Sequence, residues 1–263
     1  MYVLLFTIVG ALLLAGLCTK WCFPFSTSLK LIGITTLMSA LAGLSLLRST
    51  GLLLSGVMVL ALQVGAFVTI VLWRFYRDPE RTSPKVADSV LSPADGRVIY
   101  IRRIDEGVIP DSHKHGRRML LAELSQSSLA KRRVWQIGIS MVFTDVHVNR
   151  SPIDGKVTLL HHRPGQFLSL RHQNALGVNE RQTIVIENER VQLAVIQIAS
   201  RLVRRIEAFI REGDAVAIGQ RIGVIKLGSQ VDLIIPEASV AAIDVKLGQS
   251  LVAGQTVVCR LIP

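Results

Sequence analysis

The chain has 263 residues, half of them apolar, with a net charge of +11 and a mean hydropathy of +0.44. Residues 1–73 contain no Asp or Glu and only three basic residues, Lys20, Lys30 and Arg48; the other 190 residues hold 27 Lys and Arg and all 19 acids, a net of +8. Such a division excludes a purely soluble protein, and the hydrophobicity excludes a disordered one. Three cysteines, Cys18, Cys22 and Cys259, are too few for a disulfide scaffold and read as buried or membrane thiols.

The N-terminal third predicts membrane helices. Uncharged apolar runs cover 1–17, 31–47 and 51–73, and a spanning helix needs roughly 20 such residues. Only Arg48-Ser49-Thr50 separates the second run from the third, so these two read as a tight helical hairpin. The first run lacks the basic leader of a cleaved signal peptide. The anchor is therefore expected at 1–73, with two to three spans. Lys20, Lys30, Arg74, Arg77, Arg81 and Lys85 fall on one side and Arg48 on the other. An excess of basic residues marks the cytoplasmic side, so residues 74–263 are expected on the cytoplasmic face of a cell membrane, a bacterial inner membrane.

From Arg74 onward short β-branched runs alternate with turn signals. Strands are predicted at Val98–Ile101, Gln136–Phe143, Thr183–Glu187, Val191–Ile198, Ile222–Ile225, Val231–Ile235 and Thr256–Leu261. Ile198, Leu202, Ile206 and Phe209 fall on one helical face and predict a helix over Ile198–Ile210. The polar, basic stretch 104–133 reads as a loop or insertion. Two internal echoes stand out. Ser92-Pro93-Ala94-Asp95-Gly96-Arg97-Val98 recurs as Ser151-Pro152-Ile153-Asp154-Gly155-Lys156-Val157, and the glycine spacing of 212–220 recurs in 247–255. Pro presets φ and Gly accepts positive φ, so each Pro…Asp-Gly copy is a turn leading into a strand. The predicted class is α+β: transmembrane helices followed by a mostly β domain, an antiparallel sandwich or barrel-sandwich with an internal pseudo-repeat. Biotinyl and lipoyl carrier domains have this texture, but their lysine-bearing carrier turn is absent.

Candidate chemistry is sparse. His147 lies in a polar cluster, Thr144 to Arg150, directly after an apolar strand; by spacing alone a strand-end turn explains it as well as a site does. Asp95 precedes a glycine, as turn residues do. His113, His115, His161, His162 and His172 form no metal-ligand pattern, and no phosphate loop or nucleophile elbow is present. The basic charge suits an anionic lipid surface, at about 1 kcal/mol per nearby basic residue; no aromatic-interleaved basic motif points to nucleic acid.

Several blocks taken together resemble phosphatidylserine decarboxylase proenzymes of the short, membrane-anchored type. They are Phe75-Tyr76-Arg77-Asp78-Pro79-Glu80-Arg81, Ser92-Pro93-Ala94-Asp95-Gly96, Asp145-Val146-His147-Val148-Asn149-Arg150, Asn179-Glu180-Arg181, Ala199 to Ile206 and Leu227-Gly228-Ser229. The resemblance implies self-cleavage between Gly228 and Ser229, into a large chain 1–228 and a small chain 229–263 that stay together. Ser229 would become a pyruvoyl group, the covalent cofactor, which would form a Schiff base with phosphatidylserine and accept the electrons left by CO2; no metal or pyridoxal phosphate is expected. Serine is a weak nucleophile and needs a base. The resemblance points to His147 in that role, with Asp95 orienting the imidazole. The product would be phosphatidylethanolamine. Two rival readings are a non-enzymatic membrane-anchored adaptor and a decarboxylase of another serine-headed lipid. The family's longer branch has a second histidine where this chain has Arg150, and Gln230 replaces a Thr after the cut. Ser200 stands where relatives tend to have Gly, and three apolar runs stand where two are usual.

Overall fold

The computed structural model describes residues 2–21, 23–46, 52–105, 129, 132–165, 179–199, 206–226 and 229–263. Most of 104–133, Ser200 and the Leu227-Gly228 dipeptide lie outside these residues, as do His113, His115, His172 and Cys22. The chain divides into two compact units, Met1–Arg77 with Val142–Thr144, and Asp78–Met141 with Asp145–Pro263.

The first unit is built on α1 (Tyr2–Lys20), α2 (Phe25–Leu46) and α3 (Leu52–Tyr76). Each is long and apolar enough to cross a membrane. The third helix extends past the apolar run, because nothing between Trp73 and Tyr76 breaks it; the turn comes before Pro79, which disfavours helix in the residue ahead of it. Apolar side chains cannot by themselves specify contacts between helices in lipid, so small and polar residues do. Gln63 is fully buried and donates to Thr36 Oγ1 at 2.9 Å, joining α3 to α2. At one end of the helices Trp21, Phe23, Phe67 and Phe75 cluster with Phe143, whose ring stacks on Trp21 at 5.0 Å.

The second unit is antiparallel β. Its strands are β1 (Ser89–Leu91), β2 (Gly96–Ile104), β3 (Val134–Met141), β4 (Val148–Arg150), β5 (Gly155–Arg163), β6 (Arg181–Glu187), β7 (Gln192–Ala199), β8 (Ile206–Ala208), β9 (Ala215–Val216), β10 (Arg221–Ile225), β11 (Ser229–Pro236), β12 (Val240–Ile243), β13 (Ser250–Leu251) and β14 (Val257–Leu261). An eight-stranded sheet runs β13-β2-β3-β11-β7-β6-β5-β9, and two three-stranded sheets run β1-β14-β12 and β4-β10-β8. The order is that of two equivalent repeats. Strands β4 to β10 form one repeat, and β1 to β3 with β11 to β14 form the other, so the β4–β10 repeat is inserted into its partner.

The sequence echoes are the seams of this pseudo-twofold. Ser92 Oγ donates to Ala94 O at 2.7 Å, and Ser151 Oγ to Ile153 O at 2.6 Å. Gly254 N–H donates to Ser92 O and Gly219 N–H to Ser151 O, both at 2.8 Å. The repeats then exchange bonds, Leu91 N–H to Pro152 O and Arg150 N–H to Pro93 O, both at 2.9 Å. Gly96 (φ 141°) and Gly155 (φ 153°) occupy equivalent positions where a Cβ would sit 2.3 Å from Ser140 O and 2.5 Å from Glu187 O. Only glycine fits such an approach of backbone to backbone.

Central strands β6 and β7 are buried almost throughout, which suits the unbroken apolar stretches Ile184–Ile186 and Leu193–Ile196 within them. Alternate residues of β11 serve two cores: Val231, Leu233 and Ile235 pack with Ile137, Ile139 and Ala199, while Ile234 packs with Ile196, Ile198 and Ile104.

One expectation is overturned. No helix spans Ile198–Ile210: Ile198 and Ala199 finish β7, Ile206–Ala208 form β8, and Phe209 is exposed. Apolar residues four apart also fit two short strands, and pairing of β8 with β10 decided between them. The middle of that stretch, 200–205, lies outside the described residues.

Candidate active site

The inserted repeat is joined to its host by two links. The segment 142–147 leads from β3 to β4, and 226–228 leads from β10 to β11. Strands β4 and β10 pair, and Ile225 N–H donates to His147 O at 3.2 Å, so the first link ends beside the start of the second. Ser229 opens β11 immediately afterwards. Its backbone pairs with Met141 of β3 on one side and Ala199 of β7 on the other.

His147 is 1 % exposed. Its Nδ1 lies 2.9 Å from the carbonyl of Asp145. A carbonyl only accepts, so Nδ1 carries the proton and Nε2 presents the lone pair. Burial pushes the imidazole down from 6.5 to about 4, against smaller upward pulls from the Asp145 carbonyl and the Asp95 charge. At neutral pH it is an uncharged ring with a basic Nε2.

Asp95 sits in the turn before β2 and does not hydrogen-bond to His147. Arg81 grips it with both terminal nitrogens, at 2.6 Å and 2.8 Å, and Ala253 N–H donates to it at 2.8 Å. A contact that orients the imidazole is instead the Asp145 carbonyl. Asp95 acts on the ring through charge.

Two features are not readable from spacing. The first is the part taken by the Phe75–Arg81 block. Arg77 donates to Thr144 O at 3.1 Å. Asp78 takes Arg150 and Arg221, Glu80 takes Arg221, and Arg81 takes Asp95. Arg150, where the longer branch of the resembled family has histidine, is a buried clamp on Pro79 O and Gly219 O. The second is a buried carboxylate three residues into β11. Asp232 accepts from Tyr100 Oη at 2.8 Å, Gln136 Nε2 at 2.6 Å and Gln230 Nε2 at 2.7 Å, and its acidity is weakened by burial. Gln230 thus joins a network linking β11 to β2 and β3. The alternation of polar Gln230 and Asp232 with apolar Val231 and Leu233 is the signal that could have flagged it.

These features define a class: a two-repeat antiparallel β domain, preceded by apolar helices, with a buried neutral imidazole beside the link that leads into a central strand. The family model described as phosphatidylserine decarboxylase matches residues 68–259, and the chain belongs to that family. It is 37 % identical over 198 residues to the phosphatidylserine decarboxylase proenzyme of Erythrobacter litoralis, covering 74 % of this chain and 75 % of that one. It is 39 % identical over 184 residues to a putative archaetidylserine decarboxylase proenzyme of Methanocaldococcus jannaschii, covering 70 % and 86 %.

Proposed function

We propose that this protein decarboxylates phosphatidylserine to phosphatidylethanolamine through a pyruvoyl group that it makes from its own Ser229. Family membership supports the reaction. The observation that carries the assignment to this site is the placement of Ser229 at the head of β11, paired with Met141, from which the link ending at His147 departs.

In the proposed processing, His147 Nε2 takes the Ser229 Oγ proton as Oγ attacks the Gly228 carbonyl. The peptide bond becomes an ester, and loss of the Ser229 α-proton expels residues 1–228 with a C-terminal carboxylate. Water then replaces the nitrogen left on residue 229, which departs as ammonia. The base must be uncharged to accept a proton, and burial keeps His147 so at neutral pH. Asp95 supports the imidazolium by charge and is itself held by Arg81. The residues after position 229 fit the product: the ladder of β11 from Gln230 onward, to β3 and β7, would hold the new chain end in place. The pyruvoyl group supplies a ketone carbon that takes the electrons released with CO2.

The cut yields domains 1–73, 74–228 and a small chain 229–263 of 35 residues that remains with the large one. The charge bias of the anchor supports a cytoplasmic position for the basic domain, where anionic lipid would attract it. Denaturing mass spectrometry of purified, active protein tests this: two chains are expected, the smaller lacking an N-terminal α-amine and reactive toward carbonyl reagents. Ser229→Ala should remain whole and inactive. An active preparation containing only the intact chain would overturn the reading.

A further inference from the structure

Beyond His147, one more side chain of the same cluster is built to meet a ligand. Gln182 of β6, Gln197 of β7 and Asn149 of β4 form a buried file of amides. Gln182 Nε2 donates to Gln197 Oε1 at 2.8 Å, and Gln197 Nε2 donates to Asn149 Oδ1 at 2.7 Å. All three are at most 4 % exposed, and Asn149 and Gln197 are fully buried. Each amide fixes the next, so the file ends in one oriented donor, Asn149 Nδ2. That donor has no hydrogen-bond partner among the described residues. A buried N–H left unmet costs about 1–3 kcal/mol, so a group with spare lone pairs is expected to fill the place.

The place is close to the chemistry. Asn149 follows His147 by two residues. Gln197 shares a face of β7 with Ala199, the partner of Ser229, and two strand residues span only about 7 Å. Asn149 pairs with Gly223 of β10, a strand whose Ile222 and Ile225 belong to the main apolar core, as do Met141 and Ala199, the strand partners of Ser229. The neighbouring cation is turned elsewhere, since Arg150 is spent on Gly219 O, Pro79 O and Asp78.

We infer that Asn149 Nδ2 is the donor that receives the carboxylate of the serine head group, the group lost as CO2. This rests on the decarboxylase reading above. A neutral donor suits that task. It aims the carboxylate without giving it the strong charge pairing that a guanidinium would, and a weakly stabilised carboxylate held at a buried donor has less to lose on becoming CO2. It also sets specificity: phosphatidylethanolamine, which lacks the carboxylate, leaves the donor unfilled and is released.

The test uses the full chain with Asn149→Asp and Asn149→Ala. Asp keeps the oxygen that accepts from Gln197 and replaces the donor with a repelling oxygen, so it separates loss of the donor from loss of the fold. Both variants should still yield the small chain. kcat/KM for phosphatidylserine should fall roughly ten- to hundredfold in Asn149→Ala and further in Asn149→Asp. A second readout needs no turnover: after borohydride reduction of the ketone, each protein is titrated with nanodiscs carrying phosphatidylserine or phosphatidylethanolamine. Wild type should prefer the former, and the variants should lose that preference while binding the latter unchanged. Equal weakening toward both lipids, unchanged turnover, or failure of Asn149→Asp to self-cleave while stably folded would each overturn the assignment. If wild type itself yields no small chain, it is the pyruvoyl reading that falls.

Discussion

Burial of His147 makes a quantitative claim about acid. The imidazole titrates at 6.5 in an unfolded chain and at about 4 in the folded one. Between these values the unfolded state binds a proton that the folded state refuses, so stability is highest above pH 6.5 and falls as pH drops through the window. At 1.36 kcal/mol per pH unit, the full loss by pH 4 and below is about 3 kcal/mol, of which about 2 kcal/mol is gone by pH 5. For a domain of this size 1 kcal/mol moves Tm by about 2–4 °C, so pH 5 should cost about 4–8 °C from this residue alone. Comparing Ser229→Ala with Ser229→Ala/His147→Gln isolates the effect, because neither protein is expected to cleave. The gap between their stabilities should change by that amount from pH 7.5 to 5. In wild type made in a cell-free system and shifted in pH, self-cleavage should stay level from pH 8 to 5 and halve near pH 4. A cleavage midpoint near 6.5, or equal acid sensitivity in both variants, would refute a dry, neutral imidazole.

Two further predictions concern the supports. Arg81→Met leaves the Asp95 carboxylate, in a pair whose side chains are only 7 % and 12 % exposed, without its counter-charge; the urea midpoint should fall by the equivalent of about 3–5 kcal/mol, and a loss below about 1 kcal/mol would mean the pair is hydrated. Gly96→Ala and Gly155→Ala should be equally damaging, because each Cβ would strike a facing carbonyl. Gly213→Ala, at φ 96° with open space around it, should cost only about 1–2 kcal/mol; thermal melts rank the three, and a mild Gly155→Ala would break the equivalence of the repeats.

The comparisons lend no support to an adaptor role. Much of the architecture was legible in the chain. The uncharged runs had to be helices, because lipid leaves backbone groups no partner but their own segment. The Ser-Pro…Asp-Gly echo announced two equivalent turns, because few sequences place φ near 140° beside a facing strand. Its meaning as a seam between repeats waited for the exchanged bonds of Leu91 and Arg150. Local spacing misread 198–210, because short strands and a helix share that apolar pattern until a partner strand is present.

The site divides in the same way. His147, Asp95 and Ser229 come forward only through the family resemblance, since spacing alone explains the first two equally well as turn residues. Their relations to one another lie between residues far apart in sequence. Arg81 rather than His147 holds Asp95, the Asp145 carbonyl orients the ring, and the Gln182–Gln197–Asn149 file ends in a lone donor. Chain order determined which groups were available, through polarity and backbone preference read locally. Only the pairing of strands decided which of them meet and which are dry, because burial and hydrogen-bond partnership are properties of the packed sheet and of no single segment.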